Sequence, residues 1–188
     1  MTSATASQTI GPFWHIMEDK SWADLTRFGA AGERIVLTGT IRDGDGAPCP
    51  GVCVEIWQTD PAASDTFPGF GRANTDDSGT FRLVTVKPGP VAGLGNTQQA
   101  PHIAICLLSR GLMSGLVTRA YFQGEALNET DPLLSSIEDA ARRGTLISVP
   151  GGDGVWRLDI RLQGDGETVF LEVLCRAAVI FGVTRRSV

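Results

Sequence analysis

The chain has 188 residues, of which 42% are hydrophobic and 20% are charged, and its formal net charge is −5 at pH 7. This length and composition predict one globular domain, and a membrane span is not expected because no apolar run approaches roughly 18 residues. A negative net charge without a basic block disfavours nucleic-acid binding. The first residues lack the basic and apolar segments of a signal peptide, so we expect a cytoplasmic location.

Residues 1–32 form an N-terminal arm without clear periodicity. The arm carries Phe13, Trp14 and Trp22, and three exposed large rings would be costly in water. These aromatic residues therefore favour an arm that docks on a partner over a disordered one.

Residues 33–173 are expected to form an all-β domain with an antiparallel β-sandwich core. The 23 glycines and 10 prolines of the chain are scattered as turn signals between short apolar runs, which is typical of such sandwiches. The clearest strand alternates apolar and charged residues from Trp156 to Leu162, as a half-buried strand does. The tail at 174–188 adds no clear element. Strands are expected at residues 33–42, 52–58, 80–86, 102–108, 116–122, 156–162 and 169–173.

One short peripheral helix interrupts the predicted strands. Asp131 is a suitable N-cap, Pro132 suits the first helical position, and Gly144 can end the helix after Arg142 and Arg143. The buried stripe of this helix is expected to consist of Leu133, Leu134, Ile137 and Ala141.

The four cysteines do not form a recognisable disulfide framework in a domain of this size. Cys49 and Cys53 are spaced more widely than a Cys-x-x-Cys pair, and no second pair supports them. Because cysteine is among the most buried residue types, we expect reduced and mostly buried thiols.

A strand that begins at His102 resembles half of a metal site, and His102 is one of only two histidines in the chain. A His-x-His strand would place two imidazoles on one face, but the same-face neighbour is Ala104. A tyrosinate site needs tyrosines, and the chain has one, Tyr121. Since iron or zinc needs three or four convergent ligands, no complete metal site is predicted in this chain. Taken in isolation, His102 is interpreted as a structural histidine.

Nine short phrases occur in an order that resembles the intradiol ring-cleavage dioxygenases, and most closely the alpha subunits of their heteromeric members. Each phrase is weak alone, but the ordered set is specific and covers about residues 7–173. The phrases are SQTIGPF at 7–13, GTIRD at 39–43, VEIWQTD at 54–60, GR at 71–72, TVKPG at 85–89, APHI at 100–103, SRG at 109–111, TRAYF at 118–122 and DIRLQG at 159–164.

In that family the catalytic beta subunit binds non-haem Fe(III) through two tyrosines and two histidines. Residue by residue, His102 matches the first histidine, Ala104 the second, and Val91 one of the tyrosines. The loop at 61–70, where the other tyrosine belongs, contains none. The resemblance therefore implies no catalytic and no metal-binding residue in this chain, and an Fe(III) held by a partner beta subunit in a hetero-oligomer.

The resemblance also implies that this chain lines a substrate cleft shared with the beta subunit. The substrate-binding residues it implies are Thr9, Gly11 and Pro12 in the arm and Arg110 in the Ser-Arg-Gly turn. Glycine and proline give a rigid backbone that can approach a flat ring, and arginine can orient a carboxylate. The implied substrates are protocatechuate and O2, and the implied product is 3-carboxy-cis,cis-muconate.

The residues taken without the resemblance allow other interpretations of the site and of the function. Gly11 and Pro12 can form a simple turn and Arg110 can be a solvated charge, while Arg119, inside a strand, favours an ion pair. A non-enzymatic transthyretin-like β-sandwich binding module would share several of the turn phrases but would not need SQTIGPF or DIRLQG. A single-chain hydrolase is disfavoured because no imidazole base is paired with a nucleophile.

Overall fold

The computed structural model of this chain describes residue 6 and residues 8–172. Within this part of the chain there are eleven strands, which are β1 (Arg34–Arg42), β2 (Cys53–Trp57), β3 (Phe70–Asn74), β4 (Thr80–Val86), β5 (Val91–Ala92), β6 (Gln98–Gln99), β7 (His102–Leu108), β8 (Leu116–Phe122), β9 (Ile147–Gly152), β10 (Val155–Arg157) and β11 (Ile160–Arg161). No helix in the described ranges is long and apolar enough to cross a bilayer.

Most of these strands form one curved sheet that nearly closes around the main hydrophobic core, and a second, smaller apolar cluster includes Leu134, Ile137 and Leu146. The order of the strands is β3-β2-β7-β8-β9-β10-β1-β4. Strand β11 pairs with the last two residues of β1, after the part of β1 that pairs with β10. Strands β5 and β6 form a separate hairpin. Strand β3 also contacts β4, which brings the two edges of the sheet together. The predicted all-β sandwich is confirmed. Parallel pairs join β1 to β10, β1 to β11 and β8 to β9, and the sequence did not indicate them because alternation identifies the buried face but not the neighbour's direction.

Five of the seven predicted strands agree with the structure. Strands β4, β7 and β8 have the predicted bounds, and β1 and β2 lie within theirs. Strands β3 and β9 were not predicted, because Gly71 and the Pro150-Gly151-Gly152 run resemble turn signals. The strand expected at 169–173 is wrong in its described part, where Leu171 makes only an isolated bridge to Val117.

The alternating segment from Trp156 to Leu162 faces the core as predicted, but it is divided into β10 and β11. The Leu158 N–H donates to Thr38 O at 2.9 Å, and the Thr40 N–H donates to the Asp159 carboxylate at 2.8 Å instead of to a strand carbonyl. A Cβ at Gly39 would lie 1.7 Å from the Leu158 carbonyl oxygen. Only glycine therefore permits this close approach between β1 and the break.

The predicted helical segment consists of two short helices, α1 (Pro132–Ser136) and α2 (Ala140–Gly144). Asp131 caps α1 as expected, and Ile137 is extended and ends it. A second cap, Asp139, then starts α2 by accepting from two backbone N–H groups. Leu134 and Ile137 are buried as predicted, whereas Ala141 is exposed because the break turns the second helix away.

The described part of the N-terminal arm packs on the same chain's sandwich. Short 3-10 helices cover Trp14–Ile16 and Lys20–Ala23, and the second contacts β3 and β4 where the sheet edges meet. Leu25 is fully buried, and its N–H donates to Val84 O at 2.9 Å. The arm thus covers the gap in the nearly closed sheet. The boundaries at residues 32 and 173 stay predictions, and the tail at 174–188 lies outside the described residues.

Leu25→Ala is expected to lower the free energy of unfolding by about 3 kcal/mol, because it opens a cavity in a filled site. Leu94→Ala, at an exposed position in the β5–β6 hairpin, is the matched control and should cost less than about 0.5 kcal/mol. Urea denaturation of both variants measures the difference. Equal losses in the two variants would show that the arm does not seal the sheet.

Candidate functional site

The two segments predicted to bind substrate, the arm and the Ser-Arg-Gly turn, meet in the structure. Thr9 Oγ1 donates to the Ser109 carbonyl oxygen at 2.9 Å, and the Gly111 N–H donates to Thr9 Oγ1 at 3.0 Å. One hydroxyl thus joins the arm to both ends of the turn that follows β7. Sequence reasoning considered this turn only for Arg110 and missed its flanking backbone groups, although the SRG phrase itself was the available signal.

The arm crosses from this turn to a second anchor at Trp14. The Trp14 Nε1–H donates to Gly51 O at 3.1 Å, in the loop before β2. Between the anchors, Gly11 has a φ of +81°, and a Cβ built on it would meet nothing within 4 Å. The glycine is therefore required by the backbone conformation, and the space beside it is open. Pro12, which follows, is exposed.

Arg110 lies at the exposed tip of the turn. Its guanidinium makes no hydrogen bond or ion pair with the described part of the chain. Arg119 differs, because it is buried and donates to Gln99 Oε1 at 2.8 Å and to the Tyr121 hydroxyl at 3.1 Å. Of these two arginines, Arg110 is the one whose donors face outward for a carboxylate.

A cleft of about 430 Å³ separates the arm from the outer face of the sheet. Burial in this region raises the pKa of the Glu18 carboxyl. On the neighbouring face of the sheet, Arg72 forms an ion pair with Glu55. The residues that line the cleft are Ile10, Trp14, Met17, Glu18, Asp19, Trp22, Arg72 and Leu108.

His102 is held in one tautomer at the start of β7. Its Nδ1 lies 2.8 Å from the Ala100 carbonyl oxygen, which can only accept, so Nδ1 carries the proton. Burial, and then the charge of Arg119, lower the pKa of His102 to about 4. The imidazole is therefore neutral at neutral pH and stacks at a tilt on Tyr121, with ring centroids 5.4 Å apart.

A buried polar network continues from His102 to the first helix. The Tyr121 hydroxyl donates to Asp131 Oδ1 at 3.1 Å, and the Ala100 N–H donates to Asp131 Oδ2 at 2.8 Å. Burial raises the pKa of the Tyr121 phenol well above its usual range, so it stays protonated. Asp131 was predicted only as a helix cap, because its contacts with Tyr121 and Ala100 join distant parts of the sequence.

These residues do not fit an iron site. Across the described residues, no three His, Cys, Asp or Glu side chains converge as a metal site requires. Next to His102 stand a neutral phenol and the Arg119 guanidinium, which lies on the strand position paired with Ala104. A buried cation there opposes the binding of a second one. Among the described cysteines, Cys49, Cys53 and Cys106 are unpaired, and Cys53 is fully buried.

The fold and the site define the class of protein. A family model described as Dioxygenase matches residues 16–164. The chain belongs to this family of dioxygenases, which confirms at the family level the predicted resemblance and the predicted oxidoreductase class.

The chain is also similar to individual proteins of known name. The chain is 39% identical to the protocatechuate 3,4-dioxygenase alpha chain of Pseudomonas putida, over 89% of this chain and 96% of that one. It is 34% identical to the protocatechuate 3,4-dioxygenase beta chain of Burkholderia cepacia, over 86% of this chain and 77% of that one. The solved dioxygenase domain of a dioxygenase carbohydrate-binding protein fusion from Streptomyces sp. SirexAA-E aligns with a TM-score of 0.60 at 27% identity, covering 76% of this chain and 87% of that one. Neither a transthyretin-like module nor a hydrolase is supported by these matches.

The neutral His102 makes the stability of the fold dependent on pH. An unfolded histidine has a pKa of about 6.5, so below that pH the unfolded chain binds a proton that the folded chain, with a His102 pKa of about 4, does not. Stability therefore falls as the pH drops through this window, by about 2–3 kcal/mol near pH 4.5 from this residue.

Urea denaturation at neutral pH and near pH 4.5 measures this fall. His102→Gln keeps a donor for Ala100 O. On acidification, this variant should lose about 2–3 kcal/mol less of its free energy of unfolding than the unsubstituted chain does. His15→Gln controls for removal of an exposed histidine. An NMR titration that places the pKa of His102 near 6.5 would contradict this account.

Proposed function

We propose that this chain is the alpha subunit of a protocatechuate 3,4-dioxygenase and completes the substrate pocket of an iron-binding beta subunit. The observation that carries the proposal is the junction of the arm with the Arg110 turn through Thr9. This junction presents an open glycine–proline backbone and an outward-facing arginine on one side of the molecule. The relatedness to both alpha and beta chains supports a beta-chain partner.

The partner subunit would hold the Fe(III), which activates a bound catechol for attack by O2. In this chain, the Arg110 guanidinium would bind the carboxylate of protocatechuate, because it has no competing partner in the described part of the chain. The Gly11–Pro12 backbone would pack against the flat ring, since the space beside Gly11 is open. Together the two segments would close one side of the pocket and exclude water from it.

The arm also carries the surface that we assign to the partner. Phe13, Ile16 and Met17 are exposed by 70%, 67% and 85%, although they are large and apolar. Three neighbouring residues of this kind indicate a protein contact. Their position next to Gly11 and Pro12 would place the partner directly over the proposed pocket. The cytoplasmic location of the assembly stays a prediction.

The role of Arg110 is tested by reconstituting Arg110→Ala with the unsubstituted beta subunit. Loss of a charge-assisted contact should raise KM for protocatechuate about 10- to 100-fold and weaken the preference over catechol, which has no carboxylate. Arg110→Lys should recover part of the loss, because it restores charge without the planar fork. Arg82→Ala, at an exposed arginine on β4, is the matched control. Unchanged KM and unchanged preference in Arg110→Ala would remove Arg110 from the pocket.

The proposal that the beta subunit, and not this chain, holds the iron is tested by expressing this chain with and without the beta subunit. Expressed alone, the chain should be colourless and inactive and should retain no stoichiometric iron by elemental analysis. Co-expressed with its partner, it should purify as a burgundy, iron-containing complex, because tyrosinate-to-Fe(III) charge transfer absorbs visible light. Stoichiometric iron on this chain alone would refute the assignment.

A further inference from the structure

The hydroxyl of Thr9 has no hydrogen left for a substrate. A hydroxyl donates a single hydrogen, and Thr9 donates it to the Ser109 carbonyl oxygen at 2.9 Å. A carboxylate accepts hydrogen bonds, so the remaining lone pair of Thr9 does not attract it. Thr9 is therefore suited to holding other groups in place rather than to binding a carboxylate itself.

Apart from Thr9, the described hydrogen bonds hold this turn by one bond of its own, which the Leu112 N–H donates to the Ser109 carbonyl oxygen at 3.2 Å. Gly111 has a φ of +85°, which is a conformation that glycine leaves easily. Arg110, Gly111 and Thr9 are all exposed, so packing does not fix the tip of the turn. An arginine on a turn closed only by that bond would lose considerable conformational entropy when it binds a ligand.

The arm side of the junction is held independently. Beyond Thr9, Ile10 lines the cleft together with Leu108, the last residue of β7 before the turn. Trp14 then bonds to Gly51 at 3.1 Å. The Thr9 hydroxyl thus connects a supported arm to an exposed turn that has one closing hydrogen bond of its own.

We propose that Thr9 is a positioning residue that fixes the Arg110 turn against the Gly11–Pro12 segment and so sets the distance between the two sides of the pocket. This inference rests on the proposed function, in which those two sides bind the carboxylate and the ring. Its consequence is that a change at Thr9 alters recognition of the substrate carboxylate without touching the substrate.

Thr9→Val removes both hydrogen bonds while keeping the shape of the side chain. With the beta subunit present, kcat/KM for protocatechuate should fall about tenfold, chiefly through KM, and the preference over catechol should weaken. Thr9→Ser keeps the hydroxyl and should recover most of the loss. Thr97→Val is the control, because Thr97 is exposed and its hydroxyl donates to the nearby Leu94 O at 2.8 Å. In an Arg110→Ala background, Thr9→Val should add less than about twofold, because the two residues act as one unit.

Hydrogen-exchange mass spectrometry on the same full-length complexes measures the junction without relying on turnover. The peptide that contains Gly111 should exchange faster in Thr9→Val and at the unsubstituted rate in Thr9→Ser and Thr97→Val. Unchanged exchange at Gly111 in Thr9→Val would show that the Thr9 hydroxyl does not hold the turn. Faster exchange with unchanged kcat/KM and unchanged preference would overturn the positioning role.

A third result separates the two proposals. If the unsubstituted complex protects Gly111 but does not turn over protocatechuate, the proposed function fails, while the exchange data still support the junction.

Discussion

The buried carboxylate of Asp131 holds together the end of the sheet at which His102 lies. Asp131 is fully buried and accepts hydrogen bonds from the N–H groups of Ala100, Leu133 and Leu134 and from the Tyr121 hydroxyl, at 2.8 to 3.1 Å. A carboxylate without such donors could not be buried, because its desolvation is too costly. The start of β7, the middle of the sheet and helix α1 are therefore fixed by one side chain.

This network occupies the hydrogen-bonding groups around His102. The Tyr121 hydroxyl lies between the Arg119 guanidinium and the Asp131 carboxylate, so both of its hydrogen-bonding roles are occupied. His102 keeps an oriented ring, but the same-face position on its strand is Ala104, and the residue paired with Ala104 is Arg119. The region that resembles a metal site is thus a rigid polar support. The chemically open groups lie at the far end of β7, at the Arg110 turn and the arm.

Local patterns in the sequence predicted a large part of this fold. Short apolar runs between turn residues gave the bounds of β4, β7 and β8, and Asp131 was identifiable as a cap from its residue type and from Pro132 after it. The division of the predicted helix was missed because Asp139, the second cap, lay inside an otherwise suitable helical pattern. The break between β10 and β11 depends on Asp159, whose side chain replaces a strand carbonyl as the acceptor for Thr40. Such a substitution has no signature in the local alternation.

The candidate site could be predicted only through the resemblance to a family. Thr9 and Ser109 are separated by 100 positions in the chain, and no local rule brings a threonine in an irregular arm to a turn after a strand. The ordered phrases identified both segments, but not the hydroxyl that joins them. Likewise, the residue types at His102, Ala104 and Tyr121 were readable from the sequence, whereas the buried position of Arg119 beside them was visible only in three dimensions.

The central claim is that this chain supplies one wall of a pocket whose metal belongs to another subunit. It is tested most directly by a crystal structure of the complex with the beta subunit and bound protocatechuate. The account predicts the Arg110 guanidinium within about 3 Å of the substrate carboxylate, with Gly11 and Pro12 against the ring and all iron ligands from the partner. A carboxylate bound only by partner residues, with Arg110 in solvent, would contradict it.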